Sequence, residues 1–167
     1  SSLYAITLAC DRLADGHAVV MLAGAVNRAD DLFLHVGFCA LKALSATGQS
    51  RPFHAEADGL VPGDGAAIVV LKRLADARKA GDKILGVIRG VGLSNDGRGM
   101  GFLAPSVDGQ QRAMERAYEI AGLKPSDISL IECHATGTTV GDKTEIESTG
   151  RLFAGLSGVP IGSLKSN

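Results

Sequence analysis

The residues best placed to do chemistry form one run, Glu132-Cys133-His134-Ala135-Thr136-Gly137-Thr138-Thr139-Val140-Gly141-Asp142. An apolar stretch at 128–133 leads into it, and a helical pattern opened by Asp142 and Glu145 leaves it. Such a polar turn lies outside the carboxyl end of a strand, where open α/β sheets bind ligands. His134 there is a hydrogen-bond donor or base near neutral pH, or else a loop histidine with structural partners only. Thr136 and Thr138 stand two apart, so in extended backbone their hydroxyls face the same way. That pair suits an amide-bearing ligand. Cys133 adjoins His134, but neighbours on a strand point to opposite faces, so the two do not form a catalytic pair. Cys133, Cys10 and Cys39 all read as core.

Other candidates are weaker. Lys165 is a single cation at the end of an apolar strand, by default a solvated lysine. Glu145 is by default a capping carboxylate, and spacing alone does not support a pairing with Lys165. The glycine run 97–101 lacks dinucleotide spacing, and 162–166 lacks the upstream glycine of a phosphate loop. His54 reads as a surface residue in a polar loop anchored by Phe53. Spacing signals no partner for His17 or His35, and the four histidines show no metal-ligand spacing. Three cysteines with no CxxC pair argue against a disulfide framework or zinc site and for a reducing, cytoplasmic setting.

These residues need elements to hold them. The pattern predicts helices at 3–15, 72–81, after Asp108 and from Asp142, with one or two short helices in 30–44. It predicts strands at 18–26, 66–71, 84–93, 128–133 and 159–164, the first two buried on both faces. Glycines within 84–93 signal bulges or close packing. Strands alternating with helices make an α/β architecture, divided near Gly81-Asp82.

Composition sets outer bounds. A chain of 167 residues is one domain or part of one, and 46% hydrophobic residues exclude disorder. Lys plus Arg is 17 against 18 for Asp plus Glu, and aromatics are 4%, which gives a nucleic-acid partner no support. No apolar run is long enough to span a membrane, and no secretion signal opens the sequence. Both ends read as cut.

Taken in order, the motifs resemble the β-ketoacyl synthases, closest to ketosynthase domains of type I polyketide synthases. The matching pieces are Ser1-Ser2-Leu3, Leu22-Ala23-Gly24-Ala25-Val26-Asn27, Arg51-Pro52-Phe53, Asp58-Gly59, Gly63-Asp64-Gly65-Ala66, Ser94-Asn95-Asp96-Gly97, His134-Ala135-Thr136-Gly137-Thr138 with Gly141-Asp142 and Glu145, and Gly162-Ser163-Leu164-Lys165-Ser166-Asn167. The resemblance implies a thiolase-like fold, layered αβαβα, of which the chain supplies the end of the first half (1–82) and most of the second (83–167). It implies a 3-oxoacyl-[acyl-carrier-protein] synthase type acyltransferase, which carries out decarboxylative Claisen condensation in polyketide or fatty-acid biosynthesis. His134 matches the first of two catalytic histidines, Lys165 a lysine that orders the site, and Glu145 a carboxylate behind it. Thr136 and Thr138 match pantetheine-arm contacts. Phosphopantetheine enters as the arm of acyl carrier protein, with no other cofactor and no metal. Acyl and malonyl thioesters are the substrates, and a homodimer is the family's usual state. The family's nucleophilic cysteine would precede Ser1 by two residues, and its second histidine would follow Asn167 by three. Ala135, Asp64 and Lys143 depart from the family's usual glycine, glutamate and proline. The alternatives are a nucleophile-lacking thiolase-fold partner and a non-enzymatic module that binds carrier protein.

Overall fold

A computed structural model describes residues 2–29, 31–97 and 104–166. The glycine run at 98–101, Asp30 and the end residues Ser1 and Asn167 therefore lie outside the described residues. The chain groups into two compact units that alternate along the sequence, 1–31 with 63–88, and 32–62 with 89–167.

In the first unit, helix α1 (Ser2–Ala14) packs its apolar stripe, Ala9 and Leu13, on strand β1 (Val20–Asn27). β1 pairs antiparallel with β2 (Gly65–Lys72), in register from Val20 opposite Lys72 to Asn27 opposite Gly65. Helix α3 (Leu74–Ala80) follows and stops at Gly81. Arg73 ties the unit together: its Nη1 donates to the Leu13 carbonyl at 2.6 Å and to that of Ala18 at 2.9 Å. The expectation of strands buried on both faces is not met. Val26 is 78% exposed and Ile68 and Val70 are 70% exposed. Among the described residues the ladder has two strands, and most apolar side chains of β1 and β2 lack cover.

In the second unit, α2 (Leu32–Ala40) leads into a long loop, and α4 (Val107–Ala121) packs on α5 (Thr139–Leu152). Tyr118 meets Phe153 edge to face at 6.2 Å, and fully buried Ser148 places its hydroxyl 2.6 Å from the Gln110 amide oxygen. Strands β3 (Ile131–Glu132) and β4 (Ile161–Gly162) pair in parallel. Both are shorter than the sequence pattern predicts, and among the described residues each pairs with the other alone.

Residues 84–93 form no strand. Part of this stretch instead lies along α4. Gly90 and Gly92 come so close to the Ala117 and Ala113 carbonyls that a Cβ would collide with them. The close packing inferred from those glycines is real, but the partner is a helix. Three further expectations change. Ser106, not Asp108, caps α4, accepting the Gly109 N–H at 3.1 Å. α5 starts at Thr139, which leaves Asp142 and Glu145 inside the helix rather than at its cap. Cys39 on α2 is exposed, as is most of that helix's apolar surface, and Cys10 on α1 is half-buried rather than core.

Candidate active site

The turn at 133–138 joins β3 to α5 and is built from side-chain bonds to backbone. Cys133 is buried and His134 exposed, the alternation a strand end requires. Burial, followed by the charges of Glu145 and Glu132, raises the Cys133 thiol above its ordinary range. A buried thiol held in its protonated form is a poor nucleophile. Ala135 has φ 36 and is 1% exposed, a strained conformation for a residue with a Cβ. Glu145 holds it there: one carboxylate oxygen accepts the His134 N–H at 2.6 Å and the other the Ala135 N–H at 2.7 Å. The His134 imidazole stays free of hydrogen bonds among the described residues and is open to a ligand.

Asp142, 7% exposed, does the same one turn earlier in the helix. Its Oδ1 accepts the Gly137 N–H at 3.1 Å and its Oδ2 the Phe53 N–H at 2.8 Å. Phe53 has φ 58 and a half-buried side chain, so the anchor of its loop is the backbone amide more than the ring. The Gly137 carbonyl in turn accepts the Gly59 N–H at 3.0 Å.

Thr136 and Thr138 bring their hydroxyls to 3.0 Å, but Gly137 between them has φ 75, so a turn rather than the expected extended backbone brings them together. A Cβ on Gly141 would sit 2.5 Å from the Thr138 hydroxyl and 3.4 Å from that of Thr136, so only glycine leaves this pair its room. Lys165 does not ion-pair with Glu145, whose oxygens are committed to the turn. Its Nζ lies 3.4 Å from the Cys133 carbonyl. Glu145 and Lys165 thus bond to the backbone where β3 gives way to the turn that carries His134, and the paired threonines lie further along the same turn. His54 is exposed and accepts the Glu56 N–H at Nδ1, as a surface residue does.

Sequence reasoning missed Ser50, whose hydroxyl donates to the Lys165 carbonyl at 3.0 Å. It placed Glu132 at the head of the polar run but missed its bond, in which Oε1 accepts the Leu164 N–H at 2.7 Å. Both are long-range contacts with no spacing signal. An open groove of about 450 Å³ runs beside α5, lined by Phe53, His54, Ala57, Lys143, Ile146 and Glu147. His134 and the two threonines do not line it. Among the described residues no cluster of His, Cys, Asp and Glu could hold a metal ion, and no helix is long and apolar enough to cross a membrane.

The N-terminal domain model of beta-ketoacyl synthases matches residues 1–77 and the C-terminal domain model residues 85–167. A phenolphthiocerol/phthiocerol polyketide synthase of Mycobacterium tuberculosis is 42% identical over all of this chain, which spans 9% of that protein. The methylphloroacetophenone synthase of Cladonia uncialis is 41% identical, again over the whole chain and 7% of its own length. The solved ketosynthase from module 6 of the bacillaene synthase of Bacillus subtilis 168 superposes with a TM-score of 0.94 at 37% identity, covering 100% of this chain and 31% of that one. The PfaC keto synthase-chain length factor gives 0.94 at 46% identity, covering 99% of this chain and 18% of its own.

Proposed function

We propose, because the chain belongs to the β-ketoacyl synthase family and carries its thiolase-like fold, that it forms part of a longer condensing acyltransferase. That enzyme is of the 3-oxoacyl-[acyl-carrier-protein] synthase type and works in polyketide assembly. The proposed junction of the two thiolase-like halves falls near residue 82, between the spans of the two family models. A malonyl thioester on acyl carrier protein presents its pantetheine amides to the Thr136 and Thr138 hydroxyls. The exposed His134 imidazole donates to the thioester oxygen. As the carbon–carboxylate bond breaks, its electron pair passes to the α-carbon and carbon dioxide leaves. The α-carbon then attacks the acyl thioester, and the carbon–sulfur bond breaks to return a thiolate. Glu145 keeps His134 in place through two backbone bonds, and Lys165 braces the same strand end. Proposed partners are acyl carrier protein and a second copy of the enzyme, in the cytoplasm.

None of the three cysteines present suits the acyl-carrying thiolate. Cys133 is buried with a raised pKa, Cys10 is raised by burial and by Asp11, and Cys39 sits in the last turn of α2, where the helix dipole repels an anion. We therefore assign that role to a cysteine of the longer enzyme.

The observation that carries this reading is the free, exposed His134 on a turn clamped by Glu145, beside the paired threonine hydroxyls. The test is His134→Ala in the full-length enzyme, followed by release of labelled carbon dioxide from malonyl carrier protein. We expect a loss of at least about a hundredfold, in the range for removing a positioned acid–base group. Undiminished decarboxylation overturns the assignment.

A further inference from the structure

The segment that carries Lys165 is set by a diverted ladder bond. The Cys133 N–H donates to the Gly162 carbonyl at 2.8 Å, extending the parallel register of β3 with β4. In a regular parallel ladder the next bond runs from the Leu164 N–H to the Cys133 carbonyl. It is not made. The Glu132 carboxylate takes the Leu164 N–H at 2.7 Å. β4 ends there, and 164–166 winds into a 3₁₀ turn. The Cys133 carbonyl is left for the Lys165 ammonium at 3.4 Å. On the other side, the Ser50 hydroxyl holds the Lys165 carbonyl at 3.0 Å.

We propose that Glu132 is a positioning residue for Lys165: by capturing the Leu164 N–H it stops β4 from zipping onward and reserves the Cys133 carbonyl for the ammonium, with Ser50 as a second pin. The proposal rests on the role given to Lys165 above. Without the carboxylate, the Leu164 N–H closes on the Cys133 carbonyl and displaces Lys165 from it.

The experiment is steady-state condensation by the full-length enzyme with malonyl carrier protein. Glu132→Ala is expected to lower kcat by about tenfold to a hundredfold with little change in KM, since a misplacement of an ångström costs up to about a hundredfold. Glu132→Gln keeps an acceptor oxygen and is expected to stay within about twofold of the parent. Glu132→Ala added to Lys165→Ala is expected to cost nothing more, because its effect passes through the lysine. An unaffected kcat in Glu132→Ala, a Gln variant as poor as Ala, or losses that multiply in the double variant each overturn the proposal. If Glu132→Ala does not fold, Ser50→Ala takes its place: a drop in kcat that vanishes on the Lys165→Ala background supports the proposal, and no drop overturns it. A silent Lys165→Ala removes the lysine's assigned role and this inference together. A slow Lys165→Ala beside a normal Glu132→Ala removes only the inference.

Discussion

Two stretches of irregular backbone in the second unit meet the same difficulty with charges of opposite sign. The turn at 133–138 has N–H groups that no strand receives, and carboxylates take them: Glu145 for His134 and Ala135, Asp142 for Gly137. The extended run at 89–95 has carbonyls that no strand receives, and guanidinium groups of α4 take two of them. Arg116 donates to the Leu93 carbonyl at 2.6 Å and Arg112 to that of Asn95 at 3.2 Å. Arg89 completes the seam by donating to the Ala121 carbonyl at 3.3 Å. The anionic clamps are partly or wholly buried and fix strained residues, whereas the cationic ones are exposed. Rigidity therefore concentrates at the turn, where the proposed chemistry needs it.

The sharpest way to break that contrast is Asp142→Ala. It leaves the amides of Phe53 and Gly137 without partners at a buried site, and is expected to cost about 3–4 kcal/mol on urea denaturation, at 1–3 kcal/mol for each stranded donor. A loss no greater than that of an arginine in the seam would erase the distinction between the two regions. Gly141→Ala comes next. Its methyl must push the Thr138 hydroxyl away from that of Thr136, at a cost of about 1–2 kcal/mol. The informative reading is kinetic: KM for the carrier-bound thioester should rise while kcat holds, and an unchanged KM would detach the threonine pair from substrate binding. Arg116→Ala, exposed in the seam, is expected to cost about 1 kcal/mol or less and to leave both kinetic constants alone.

Much of this is legible in the sequence, but unevenly. The helix stops at Gly16, Gly81 and Gly122 fall where expected, because a C-terminal glycine is a local signal. The opposed faces of Cys133 and His134 follow from the period of a strand, which needs no tertiary knowledge, whereas Thr136 and Thr138 meet across a turn at Gly137 rather than along extended backbone. The errors lie where partners decide. Residues 84–93 have the composition of a strand yet settle on α4, and the apolar residues of β1 and β2 stay exposed for want of a covering layer. The links Glu132–Leu164 and Ser50–Lys165 join residues 32 and 115 positions apart, a separation at which spacing carries no information. The family resemblance supplied the names of the site residues, but not the bonds that Glu145 and Asp142 spend on backbone.

The smallest expected effect tests whether the carboxylate-on-amide device acts outside the turn. Asp58 is exposed. Its Oδ1 accepts the Ser45 hydroxyl at 2.6 Å, and its Oδ2 accepts the Ala46 and Thr47 N–H groups at 3.1 Å each. The Ser45 hydroxyl foremost, with those amides, holds the carboxyl below its ordinary range. A carboxyl whose folded pKa lies below its unfolded one stabilises fully above the unfolded value, and that stabilisation fades as pH falls through the folded one. Amide protection at Ala46 and Thr47 should therefore drop on acidification below about pH 4, the ordinary carboxylate range. Carbonyls held by arginine keep their partner throughout, because guanidinium stays charged. In Asp58→Asn the protection should be lower at neutral pH and nearly flat toward acid. If the variant kept the acid-dependent loss, another group would be responsible, and charge sign would no longer separate the two ways this backbone is held.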